Sequence, residues 1–155
     1  MTEPRDTFNA FNAVPDWGNA PVQYDTDDVH KHFHGIASRV HAAAGDDLQY
    51  VTGEINNQEP ASPIRIYAFT SKLVIAVYGE FGKVSVDVHS RSEIVNVRIL
   101  NAPLATSDHM LLSGSGQLAF EVEYPFGTAS FDRWYRGEDD RARALAQFLE
   151  DLANR

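Results

Sequence analysis

Tyr67-Ala-Phe-Thr-Ser-Lys-Leu-Val-Ile-Ala-Val77 decides the fold of this chain. Apolar and aromatic residues run up to Phe69 and resume at Leu73, and Thr70-Ser-Lys72 between them has the composition of a turn. Strands joined so tightly must be antiparallel, because a parallel crossover needs about a dozen residues or more.

The same period of two extends outward, from about residue 48 to residue 135. It predicts strands over Leu48–Ile55, Ile64–Phe69, Lys72–Tyr78, Lys83–His89, Ile94–Leu100, His109–Ser113, Leu118–Tyr124 and Thr128–Trp134. Gly79-Glu-Phe-Gly82, Ser113-Gly-Ser-Gly116 and Tyr124-Pro-Phe-Gly127 supply turn residues free to adopt positive φ. The expected product is an up-and-down antiparallel meander of seven or eight strands that curls into an open barrel.

Two helices flank this region. Over 26–44, Val29, Phe33, Ile36, Ala37 and Val40 form one apolar stripe. Asp25 or Thr26 is placed to cap its start, Asp27 and Asp28 suit the positive end of its dipole, and Gly45 can end it. Over 138–153, Glu138, Asp139 and Asp140 load the first turn, while Leu145, Phe148, Leu149 and Leu152 make the buried stripe. The fold class is therefore α+β: an antiparallel open barrel capped by a C-terminal helix, with an additional N-terminal amphipathic helix.

Residues 1–25 carry Pro4, Pro15 and Pro21 and no sustained periodicity, and read as an irregular arm ahead of a single domain over 26–155. Phe8-Asn-Ala10 repeats at once as Phe11-Asn-Ala13, followed by Val14 and Trp17. These aromatics either form a docking peptide for a partner or fold back onto the domain. If the arm lies outside the core, removing residues 1–24 leaves the thermal midpoint within a few degrees.

Composition narrows the function classes. A chain of 155 residues, 43% hydrophobic and 11% aromatic, is long enough to bury a core. Cysteine is absent, which removes disulfides and thiolate metal sites. No stretch reaches the ~20 apolar residues that span a bilayer, and Met1-Thr-Glu-Pro-Arg-Asp6 lacks a signal-peptide pattern, so the cytoplasm is the expected location. A formal net charge of −9 disfavours nucleic acid and anionic membranes as partners.

In strand order and closing helix, the pattern resembles the pleckstrin-homology-like (PH-like) fold in its bacterial form. Four segments carry the resemblance: Tyr67–Val77 as a tight hairpin, Ser92-Glu-Ile-Val-Asn-Val-Arg-Ile99 as an isoleucine-led strand, Leu118–Phe131 as the last hairpin, and the helix after it. Together they cover roughly residues 48–153. The resemblance implies a platform for binding proteins or peptides. Phosphoinositide binding is not implied, because the loop region Gly53–Pro63 holds two glutamates and no lysine or arginine.

Candidate chemistry is sparse. His30 and His34 sit one helical turn apart, a two-ligand metal spacing. His41 lies ~10 Å further along the axis, too far to join them. Asp27, three residues before His30, is placed to add a carboxylate. Asp87 and His89 share one face of a strand while Ser90 points to the other, which separates a nucleophile from its base. Glu54, Asp87, Glu121 and Glu123 are the carboxylates available for acid–base pairing. Gly114-Ser-Gly116 lacks the third glycine of a nucleotide loop. Arg133, Trp134, Tyr135 and Arg136 combine the residue types enriched at binding hot spots, as do Phe8, Phe11 and Trp17 in the arm.

The expectation is a non-catalytic module, with no cofactor and no resident metal, that binds a protein or peptide through a sheet edge, the Trp134 region or the arm. The alternatives are a hollow barrel acting as a small-molecule binder or small enzyme, and a self-assembling homo-oligomeric subunit.

Overall fold

The computed structural model describes residues 3–20, 23–101, 116–135 and 140–153. The chain divides into two compact units, Met1–Ser92 and Glu93–Arg155. This differs from the expected arm followed by one domain, because the arm belongs to the first unit.

In the first unit, helix α1 spans Pro4–Ala10 and continues as a single 3-10 turn over Phe11–Ala13. Residues 4–13 of the arm are therefore helical rather than irregular. Pro4 occupies the first turn, where a missing N–H costs nothing, and the N–H of Glu3 donates to Asp6 at 2.9 Å. Proline here starts a helix rather than breaking one.

Helix α2, Thr26–Ala44, has the predicted bounds. The Asp25 carboxylate accepts the N–H of Asp27 at 3.4 Å, and Gly45, at φ +57°, ends the helix with its N–H on His41 O. Its apolar stripe buries Phe33, Ile36, Ala37, Val40 and Ala44.

That stripe packs on one face of a four-stranded antiparallel sheet in the order β1-β2-β3-β4: Tyr50–Ile55, Ile64–Phe69, Leu73–Glu80 and Lys83–Ser90. The register places Val51, Ile66, Ala68, Ile75 and Val77 toward the helix, all buried. Phe11, Val14 and Trp17 of the arm join the same core. β2 and β3 also bury Tyr67, Phe69, Val74 and Ala76 on the opposite face, so these strands read as continuous apolar runs.

At the β2–β3 turn, Thr70 Oγ1 accepts the N–H groups of Lys72 and Leu73 at 3.1 and 2.8 Å. Buried Arg91 donates to Thr70 O at 2.7 Å and to Gln49 Oε1 at 2.8 Å, and its backbone N–H donates to Lys72 O. These bonds hold the end of β4 against the turn. The described strands fall into two sheets in place of the expected continuous meander.

The second unit contains a three-stranded antiparallel sheet, β5 Asn96–Asn101, β6 Gly116–Tyr124 and β7 Gly127–Tyr135, followed by helix α3, Asp140–Ala153. Phe120 stacks on Phe131 at 4.8 Å, and Phe131 meets Phe148 of α3 at 5.4 Å. Leu145, Phe148 and Leu152 are buried along that helix. The predicted strand His109–Ser113 lies outside the described residues. Neither sheet closes on itself among the described strands. No helix among the described residues is long and apolar enough to cross a membrane.

Candidate functional site

The densest chemistry in the first unit lies where the arm meets the N-terminal half of α2. Thr26, Val29, His30 and Phe33 recur at helical spacing and therefore share one side of α2. The arm crosses this side. Phe8 stacks on His34, with ring centroids 4.4 Å apart and planes 11° from parallel, and His34 stacks on His30 at 5.8 Å. Behind Phe8 and Phe33 sits Trp17, with centroids 5.3 and 4.8 Å away, and it also meets Phe11 at 4.7 Å.

After Trp17 the chain turns sharply, with Asp16 at φ +65° and Gly18 at φ +84°. Glycine takes that conformation without strain. The turn lays Gly18-Asn19-Ala20 opposite α2. Tyr24 then returns, its hydroxyl donating to Pro60 O at 2.8 Å and its ring on Phe81 at 3.9 Å. Between them lies an open groove of about 350 Å³, walled by Phe8, Tyr24, Val29, His30 and Phe33 and closed by Gly18–Ala20 and Thr26.

Polar groups around the groove are unevenly satisfied. The Trp17 indole N–H is buried and finds no acceptor among the described residues. Asp25, Asp27 and Asp28 stand exposed at the head of α2, with Lys31 one turn further on. Further along the helix, His32 Nδ1 accepts the Gly82 N–H at 3.1 Å, and its ring packs on Phe81 and Phe33. Burial first, and the Arg39 guanidinium second, hold the His32 pKa below its ordinary value of 6.5.

The other predicted positions fall as follows. Phe11 is fully buried and Trp17 is 8% exposed, so both serve the core and neither is displayed as a docking side chain. Phe8 is half-buried and lines the groove together with Tyr24. The side chains of Arg133, Trp134 and Tyr135, and all of Arg136, lie outside the described residues, as does Gly114-Ser115. His30 and His34 stack ring on ring, and among the described residues no set of three side chains is placed to hold a metal ion.

Asp87 accepts the Tyr78 hydroxyl, which raises the tyrosine pKa above 10, and Ser90 Oγ meets Ser92 Oγ at 2.7 Å. The register puts Asp87 and His89 on the face opposite Ser90, as expected for a strand. Glu54 is exposed on β1 opposite Arg65. Glu121 and Glu123 line a shallow hollow of about 220 Å³ with Asn96, Arg98 and Thr128, and Arg98 lies 3.7 Å from Glu121.

Tyr24, Val29 and Phe33 are groove residues that sequence reasoning did not single out as functional. Val29 and Phe33 look like core positions in the apolar stripe. Tyr24 sits in a segment with no periodicity at all. The distance between the arm and α2, which creates the groove, leaves no trace in local pattern.

No protein-family model, curated protein or solved structure matches the chain.

Proposed function

We propose that this chain is a non-catalytic binding module that accepts a peptide segment of a partner protein, seating one of its side chains between the arm and α2. The observation that carries this reading is the groove of about 350 Å³ with ring walls contributed by Phe8, Tyr24 and Phe33. Its size is at the low end of small-ligand sites, ~300–1,000 Å³, which suits one side chain better than a large cofactor. Aromatic walls give a large contact area at low entropic cost. The PH-like resemblance, in which the fold serves as a binding platform, points the same way at the level of analogy.

The test is to fill the groove. Peptides selected from a random library on the wild-type chain are expected to bind Ala20→Trp at least tenfold more weakly. Equal binding to both forms would place the contact elsewhere and remove this reading.

A second reading rests on β5. Val95, Ile99 and Leu100 are 61%, 58% and 56% exposed, and among the described residues β5 pairs only with β6. Such an edge is a template for strand addition by a peptide or by another copy of the chain. Peptides that lose affinity for Ile99→Lys but not for Ala20→Trp would favour it.

A further inference from the structure

We infer that His32 is a proton-operated latch on the arm–α2 groove. While neutral, its ring holds the β3–β4 turn against α2 and, through Phe81, supports Tyr24 in the groove wall; protonation releases both. This rests on the peptide-binding reading above and adds a regulator of that site.

The latch consists of one hydrogen bond and a chain of rings. Phe81 and Gly82 form the turn between β3 and β4, and the Gly82 N–H donates to His32 Nδ1 at 3.1 Å, across 50 residues of chain. Phe81 packs on two rings, His32 at 4.4 Å and Tyr24 at 3.9 Å. Its N–H donates to Ala61 O at 2.9 Å, and the Tyr24 hydroxyl donates to the neighbouring Pro60 O at 2.8 Å. The turn, residues 60–61 and Tyr24 are thus tied together, with His32 as their attachment to α2. Tyr24 is also a wall of the groove.

The proton decides whether this attachment holds. A neutral imidazole that accepts at Nδ1 carries its hydrogen at Nε2. Here Nε2 is buried and finds no acceptor among the described residues, so the Nδ1 bond alone orients the ring's polar groups. A second proton has only Nδ1 to go to, where two N–H groups then face each other. The bond becomes a repulsion, and the cationic ring is better solvated once the turn has moved away.

The surrounding charges are divided. Arg39, two turns along α2, opposes a second cation at His32, and its Nη1 donates to Val84 O at 2.9 Å. That bond does not depend on the His32 proton, so it keeps the start of β4 on α2 while the turn opens. Asp28, one helical turn before His32, and Glu80 and Lys83, on either side of the turn, are exposed and screened by water. Gly82, at φ +80°, has no atom within 4 Å of where a Cβ would stand, which leaves the turn room to swing.

The experiment uses the full chain. In the free protein, NMR follows the Gly82 amide and the Tyr24 ring from pH 7.5 to 5. Both are expected to titrate with one shared midpoint below 6.5. Neither is expected to do so in His32→Asn or His32→Gln, which keep an acceptor and do not titrate. A Tyr24 ring that stays unchanged while Gly82 titrates, or that titrates equally in both variants, would overturn the latch. This measurement involves no peptide and is independent of the function proposed above.

Binding is then measured with peptides selected on the wild-type chain at pH 7.5, free of Asp, Glu and His, that lose affinity for Ala20→Trp. Their affinity is expected to fall at least about fivefold by pH 5, and less than about twofold in His32→Asn. Because His30 is a second imidazole at the groove, His30→Asn is the control and should keep the full loss. Affinity independent of pH in the wild type, or a loss abolished by His30→Asn and not by His32→Asn, would overturn regulation through His32. If no selected peptide distinguishes Ala20→Trp from wild type, the peptide-site reading falls and its regulation with it, whatever the free-protein titration shows.

Discussion

Thr7 Oγ1 and His41 Nδ1 share a hydrogen bond of 3.0 Å that ties α1 to the last turn of α2, 34 residues further along the chain. Thr7 is buried at 3% exposure and His41 is partly buried, so the bond lies partly out of solvent. It fixes one end of the arm, and the Phe8–His34 stack fixes the next residue. Together they hold the arm side of the groove in place.

Removing residues 1–24 is therefore expected to unfold the first unit rather than leave its midpoint unchanged. Phe11, Val14 and Trp17 are all buried in its core, and burying each such side chain stabilises by ~1.5–3 kcal/mol. Their sum is comparable with the ~5–15 kcal/mol net stability of an ordinary domain. Circular dichroism during thermal melting decides the matter. A truncated chain melting within a few degrees of wild type would mean that the arm is dispensable. In the full-length chain, Thr7→Val should cost only about 1 kcal/mol, the usual net worth of one hydrogen bond.

Arg91→Met should destabilise by about 2–4 kcal/mol in urea titration. Arg91 is 1% exposed, and its guanidinium supplies donors to Thr70 O and Gln49 Oε1. Methionine fills similar volume but leaves the buried Thr70 carbonyl without its donor and removes the bond to Gln49. A loss below about 0.5 kcal/mol would show that water replaces the guanidinium at the turn.

Gly53→Ala tests a close approach of two backbones. Gly53 has φ +155°, and a Cβ there would lie 2.4 Å from Arg65 O and 2.6 Å from Ile66 Cα. Both obstacles are main chain in the paired strand β2, so neither can rotate aside. The expected cost is about 2–4 kcal/mol. A variant as stable as wild type would mean that β1 and β2 separate locally without penalty.

His32 makes stability pH-dependent, and the sign follows from its shift. Its folded pKa lies below 6.5, so the unfolded chain takes up the proton first as pH falls. The stabilisation is fully present above pH 6.5 and is lost progressively as pH drops below that value toward the folded pKa. Protonation at Nδ1 would oppose the Gly82 N–H that this nitrogen accepts. Urea midpoints measured between pH 7.5 and 5 should fall less steeply for His32→Asn, which retains an acceptor and does not titrate. Parallel slopes for the two proteins would remove His32 from the pH response.

Local pattern was a good guide wherever one face of an element decides its burial. Helix α2 begins and ends where its caps and stripe predict, because Asp25, Gly45 and the Phe33–Val40 spacing all act within a few residues. The strands from β1 to β4 appear at their expected places for the same reason, and their short connections make antiparallel pairing unavoidable. The arm was misread because Pro4 and Pro15 resemble breakers in a one-dimensional view. Only the core contacts of Phe11, Val14 and Trp17 show that the segment is part of the fold.

Periodicity, turn chemistry and charge count alone carried the α+β class, the two amphipathic helices, the antiparallel pairing and the net negative charge. Tertiary structure alone decided the split into two sheets, the burial of Arg91 and the formation of the groove. Each of these depends on contacts between residues far apart in the chain, such as Phe8 with His34 and Gln49 with Arg91. Such contacts form only when the apolar faces of separate elements are buried together, and no local pattern encodes which polar or aromatic groups that burial brings side by side.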